Sequence, residues 1–229
     1  MGASNGGIAV KTDTSIIDLQ KVAKDLFGSS FEKTDSHCDP RKSDCVYISK
    51  TKDFLIIINT DFADKFFASQ STNNIQQYLD YFSKPGFVFA FEEYDSGGTY
   101  SYSLIYDGVV KRQFRSISYE TTIDFGELEP IELKWKNAET YTEDLGDDEF
   151  IIMYKDPTRD FQCAAMDLPQ VMLHELMIEK LGFLTWNMND FLIEYGRFKG
   201  TPNSQKALPT TSIPASTEPA SKKPWWKLW

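Results

Sequence analysis

The sequence predicts an α+β domain: a mainly antiparallel sheet of five to six strands packed against helices. Three observations carry that expectation. Tyr100–Tyr106 (YSYSLIY) and Val109–Phe114 are strand-like runs separated by Asp107-Gly108, and Asp-Gly suits a two-residue hairpin turn because both central residues need positive φ. Phe54–Ile58 (FLIII) is apolar at every position, as is Phe87–Phe91 (FVFAF), the composition of strands buried on both faces. Finally, apolar residues recur at helical spacing in Ile16, Ile17, Leu19, Val22, Leu26 and Phe27, and again in Val171, Leu173, Leu176, Met177 and Leu181.

Taken in order, Gly6–Thr12 reads as a first strand. Asp13-Thr14-Ser15 is an N-cap cluster for the first helix, and Gly28 is its stop. Residues 29–44 are polar and read as a loop. Cys45–Ser49 and Phe54–Asn59 read as two strands, Asp61–Ser69 as a short helix or turn, and Asn73–Phe82 as a helix stopped by Pro85-Gly86. Residues 87–92, 99–106 and 109–119 form a three-stranded meander, with a turn at Ser96-Gly97-Gly98. The acid-rich stretch 120–150 reads as loops with a helix near 129–139, and Phe150–Tyr154 as a short strand or helix. Asp167 and Pro169 open a helix that Gly182 closes, and Met188–Phe198 reads as a last helix. Residues 1–200 are thus one domain. Residues 201–229 turn to Pro, Ser, Thr and Ala and end in Trp225-Trp226-Lys227-Leu228-Trp229, which reads as a disordered tail with a terminal tryptophan motif.

The 229 residues carry 34 acidic and 24 basic side chains, a net charge of −10. A negative surface repels phosphates, which argues against nucleic-acid binding. The imbalance is uneven: residues 201–229 carry +3 against −13 for the rest. Three cysteines, Cys38, Cys45 and Cys163, are an odd and sparse set that points to a reducing compartment rather than a disulfide framework. The Met1–Gly7 start has neither the basic and apolar regions of a signal peptide nor the Ser or Thr of a myristoylation motif at Gly6. No apolar run approaches the roughly 18 residues of a membrane span. Cytoplasm is the expected location.

From Tyr100 to Glu132 the chain runs Tyr-Ser-Leu-Ile-Tyr-Asp107-Gly108, then Arg112, then Asp124-Phe-Gly126-Glu127 and Pro130-Ile-Glu132. This pattern resembles a family of uncharacterised bacterial proteins, a domain of unknown function, in which an aromatic strand and polar-Gly turn precede an Asp-x-Gly-Glu and a Pro-x-Glu segment. The Met-Gly-Ala start, the Asp61-Phe62 segment and the helix over 168–181 are also similar, so the resemblance spans about residues 1–182. It implies a bacterial origin and a single α+β domain, and it transfers no activity and no catalytic residue.

Several constellations could carry chemistry. His37, Cys38 and Cys45, with Cys163 or His174, offer soft ligands for zinc. The paired Cys-x-x-Cys spacing is absent, so a polar loop with incidental thiols is the better reading, and a Cys38–Cys45 disulfide suits a reducing compartment no better. His174-Glu175 lacks the second histidine of a metalloprotease helix, because Ile178 stands where it belongs. A Cys163–His174 nucleophile pair has no supporting local signature. Gly6-Gly7 and Gly97-Gly98 make no phosphate loop and read as turns. No metal and no cofactor is expected.

Glu92, Glu93, Tyr94 and Asp95 sit beside a tyrosine-rich hairpin end, with Glu127 in the segment after the meander. Acidic and aromatic residues together suit recognition of a basic protein partner. Trp225, Trp226 and Trp229 add a docking motif for a partner, for the chain's own acidic domain, or for a membrane interface. The expected function is therefore a non-enzymatic bacterial interaction protein binding a basic protein partner, with toxin neutralisation as one such role. The alternatives are a hydrolase using carboxylates near Glu92, Asp95, Asp124 and Glu127, and a peripheral membrane protein.

Overall fold

A computed structural model describes residues 4–68, 70, 72–146 and 149–202, Trp186 by its backbone alone. The tail from residue 203, with Trp225, Trp226 and Trp229, lies outside the described residues.

Strand β1 (Ser4–Lys11) runs through the middle of the molecule between β4 (Phe54–Ile58) and β5 (Phe87–Tyr94). It passes its neighbours closely: a Cβ on Gly7 would stand 2.6 Å from the Ile57 carbonyl oxygen, so only glycine fits there. Outward from β4 lie β3 (Cys45–Lys50), β12 (Glu194–Lys199) and the short β2 (Glu32–Lys33). Outward from β5 lie β6 (Thr99–Tyr106), β7 (Val109–Ile117) and β8 (Glu120–Gly126). The nine strands form one antiparallel sheet in the order β2-β12-β3-β4-β1-β5-β6-β7-β8. The β6–β7 turn has the expected positive φ at both Asp107 (49°) and Gly108 (75°). The fold class is thus α+β, with a sheet larger than the five or six strands expected.

Successive strand residues point to opposite faces, so the sheet carries two cores. Ile8, Val10, Leu55, Ile57, Val88 and Ile105 face one way. They are covered by α1 (Leu19–Phe27), α2 (Thr60–Asp64) and α3 (Gln76–Tyr81), which contribute Val22, Phe62 and Leu79. Ala9, Ile56, Phe89, Phe91, Tyr102 and Leu104 face the other way, onto α4 (Pro130–Lys136) and α5 (Leu168–Leu181) with Trp135, Leu173 and Leu176. A second sheet is set against this layer: β9 (Thr140–Gly146), β10 (Glu149–Lys155) and β11 (Gln162–Ala164), in the order β11-β10-β9. No helix among the described residues is long and apolar enough to cross a membrane.

Four local expectations are corrected. Helix α1 starts later than the 13–15 cluster, because Thr14 spends its hydroxyl on the Thr51 carbonyl (2.6 Å). Asp18 is the cap instead, accepting from the Gln20 and Lys21 amides. The acidic stretch 120–150 contains two strands, β8 and β9, beside the expected helix. Met188–Phe198 is not a helix: a 3-10 turn covers Thr185–Phe191, and β12 follows, with Gly196 and Phe198 buried and Glu194 and Lys199 exposed. Lastly, Cys38 and Cys45 are joined by a disulfide. The polar loop brings them together because its ends are tied down: the Tyr47 hydroxyl donates to the Cys38 carbonyl (2.5 Å) and the Asn59 amide to the Cys45 carbonyl (2.9 Å).

Candidate functional site

Glu92 and Glu93 end β5 side by side, and strand geometry sends them to opposite faces. Both are 1% exposed. Glu92 lies on the α2 side, 3.1 Å from the Arg115 guanidinium, which also donates to Asp64 at 2.9 Å. Burial pushes the Glu92 carboxyl above its ordinary value, with Arg115 pulling the other way. A carboxyl raised in the folded state contributes stability at low pH that is lost as pH rises through its folded value. Glu92→Gln is therefore expected to leave the urea midpoint unchanged at pH 4 and to raise it at pH 7. A lower midpoint at pH 7 would mean that the pull of Arg115 outweighs desolvation.

Glu93 faces α5 instead. Its Oε1 accepts from Gln170 Nε2 at 2.9 Å and lies 2.7 Å from His174 Nε2. Gln170 also donates to Asp95 at 3.0 Å, and the Tyr100 hydroxyl approaches the same Asp95 oxygen at 3.4 Å. Tyr94 is half-buried, its hydroxyl over Gly6 on the α2 side. Glu127 is exposed beyond the end of β8. Its neighbour Gly126 pairs with Arg112 and, through Leu104, lines up with Phe89, four residues along β5 from Glu93. The fold thus brings together Glu93 and Asp95, adds Gln170, His174 and Tyr100, and separates Glu92 and Glu127 from them. The five residues expected to share one acidic, aromatic face do not do so.

The remaining carboxylates of the hydrolase reading are dispersed as well. Asp124 binds Arg112 at 2.6 Å, and the buried Glu132 takes Arg112 in a two-pronged grip at 2.5 to 2.9 Å. Glu132 also accepts from the Glu129 amide in the capping box of α4. That network orders an end of the sheet, and it ties Asp124 to Arg112 as Arg115 ties Glu92. Burial pushes the Cys163 thiol up to about 11, the opposite of an activated nucleophile, and His174 is engaged with Glu93. With Cys38 and Cys45 in a disulfide, no group of three or more His, Cys, Asp or Glu able to hold a metal is found among the described residues.

A more open surface lies on the three-stranded sheet. Its sequence supplies β-branched and aromatic residues in both long strands, Thr140-Tyr141-Thr142 and Phe150-Ile151-Ile152-Met153-Tyr154. Its root is fixed by Tyr154 and Cys163, which pack with Trp135 and α5. A charged lattice holds the loop between β10 and β11: Asp156 meets Lys134 (3.0 Å) and Arg159 (2.8 Å), both cations reach Glu175, and Trp135 Nε1 donates to Glu175 at 2.8 Å. Its far end is different. Leu145, Phe150 and Ile152 are 59%, 64% and 52% exposed, and Phe150 and Ile152 share one face of β10. Around them Glu143, Asp144 and Glu149 are exposed and form no ion pair among the described residues. This arm is an apolar patch with an acidic rim on a rigid root. Its signal in the sequence was the run Phe150–Tyr154, rich in β-branched and aromatic residues, with β9 hidden among the surrounding carboxylates.

No protein-family model matches the chain, and neither a curated protein nor a solved structure was found to be similar to it.

Proposed function

We propose that the protein is a non-enzymatic interaction module that captures a basic protein through the β9–β10 arm. The observation that carries this reading is the coexistence of large exposed apolar side chains, Leu145, Phe150 and Ile152, with the exposed carboxylates of Glu143, Asp144 and Glu149, which form no ion pair among the described residues. An exposed apolar patch rimmed by polar groups is the usual anatomy of a contact surface. Negative charge on this rim speeds encounter with a cationic partner. Neutralising a basic toxin is one role such a surface serves.

The test uses the full chain as bait in a bacterial lysate. Phe150→Asp removes an exposed anchor without opening the core, and Glu143→Lys with Asp144→Lys reverses the rim. The expected result is retention of basic proteins by the native chain and at least a tenfold loss in both variants, in the range of a hot-spot substitution. Retention of the same proteins by all three baits would remove the arm from the reading.

A further inference from the structure

Among the described residues the outer strand of the arm has an open edge, and the ladder on its inner side fixes its hydrogen-bond phase. Lys155 N donates to Glu139 O at 3.0 Å. In the β9–β10 register, Tyr141 pairs with Met153 and Glu143 with Ile151. In an antiparallel ladder bonded pairs alternate with non-bonded ones, so residues 139, 141 and 143 bond to β10. Thr140, Thr142 and Asp144 therefore turn their amides and carbonyls outward. The other side of β10 agrees, since Ala165 N donates to Ile152 O at 2.8 Å. Among the described residues the sheet has no further strand beyond β9, and Thr140, Thr142 and Asp144 are exposed.

We infer that this edge accepts, as an added antiparallel strand, an extended segment of a protein partner in which basic and apolar residues alternate. The inference rests on the arm being the interaction surface. Its two faces set the alternation. On one face an added strand lies beside Thr142 and Asp144, with Phe150 and Ile152 one strand further in, so its long apolar side chains gain contact there. On the other it lies beside Tyr141 and Glu143, where Lys155 already sits over the Tyr141 ring at 5.2 Å. That face suits lysine or arginine. A second copy of the chain is a poor occupant, because its own Glu143 and Asp144 would meet these same carboxylates, and like charges on paired strands repel. Main-chain bonds would supply the affinity and the alternating side chains the choice of partner.

The probe is an end-capped decapeptide of alternating lysine and valine, titrated into the full chain by fluorescence anisotropy. The native chain is expected to bind it. Thr142→Pro deletes an outward amide that the β9–β10 ladder does not use, which an edge strand tolerates, and should weaken binding at least tenfold, whereas Thr142→Val should not. Circular dichroism of each variant verifies folding. A second arm leaves the protein untouched: peptides N-methylated on every lysine or on every valine block opposite edges, so one should lose binding and the other keep it. No binding by the native chain, equal binding by Thr142→Pro, or binding by both methylated peptides would overturn the inference. Sedimentation that finds a dimer dissociated by Thr142→Pro would assign the edge to a second copy instead. Binding that appears only after Trp225, Trp226 and Trp229 are replaced by alanine would assign it to the chain's own tail. If Phe150→Asp abolishes lysate capture while Thr142→Pro retains it, strand addition fails and the arm reading stands. If Phe150→Asp leaves capture intact, that reading fails by itself.

Discussion

Replacing Arg112 with leucine is expected to destabilise the protein by about 3–5 kcal/mol, because it leaves a buried carboxylate without its counter-charge. Arg112 is 1% exposed and Glu132 4%. Burial works against the guanidinium charge, and the hydrogen bonds to Glu132 and Asp124 override it, holding Arg112 above its ordinary value. The Glu132 carboxylate also accepts from the Glu129 amide, so after the substitution it would strain the first turn of α4. Asp124 matters less, since its side chain is 60% exposed and water can replace the arginine. Urea denaturation of Arg112→Leu measures the cost. Arg112→Leu with Glu132→Leu should recover a large part of it, because removing both charges avoids the orphan. A single variant within about 1 kcal/mol of the native chain would mean that the buried pair is compensated by solvent.

Asp156 is the second position where a large effect is expected. Its side chain is fully buried. It accepts from the Thr158 amide and hydroxyl at 2.8 and 2.7 Å and binds Lys134 and Arg159. Burial opposes ionisation here, yet these bonds together hold the carboxyl well below the usual range. A carboxyl depressed in the folded state gives stability that is present above its unfolded value, near 4, and is lost as pH falls towards the folded one. Asp156→Asn should therefore cost about 2–3 kcal/mol at pH 7, and the gap to the native chain should narrow steadily below pH 4 or so. Parallel urea midpoints between pH 7 and 2 measure this. A gap that is constant over that range would show that the loss came from packing and not from charge. Because Asp156 holds the loop at the root of the arm, the variant is also expected to loosen residues 149–164 before the nine-stranded sheet.

Where side-chain pattern and burial coincide, the chain was legible. The Asp107-Gly108 turn, the all-apolar Phe54–Ile58 and the long helix ending at Gly182 follow from turn chemistry, two-sided burial and helical spacing. The strands β8 and β9 did not show, because an edge strand solvated on both faces carries no apolar alternation. Glu120, Thr121 and Thr122, or Thr142, Glu143 and Asp144, look the same in a loop. Strand β12 was hidden by Phe191 and Leu192 just before it, which extend a helical spacing that the backbone does not follow. The grouping of Glu92, Glu93, Tyr94, Asp95 and Glu127 on one face failed for a different reason. Glu92 and Glu93 were grouped because they are adjacent, yet adjacent residues of a strand cannot share a face. Both carboxylates are enclosed, one by Arg115 and one by Gln170 and His174. Acidic and apolar side chains do stand together on the arm, where Phe150 is exposed and Glu143 forms no ion pair among the described residues.

The most direct measurement is a hydrogen-exchange footprint of the full chain with and without a basic protein it captures. Slowed exchange over residues 140–155, strongest at the outward amides of Thr140, Thr142 and Asp144, is the predicted result. Protection confined to the strand end around Asp95, Tyr100 and Gln170, with residues 140–155 exchanging as in the free chain, would contradict it.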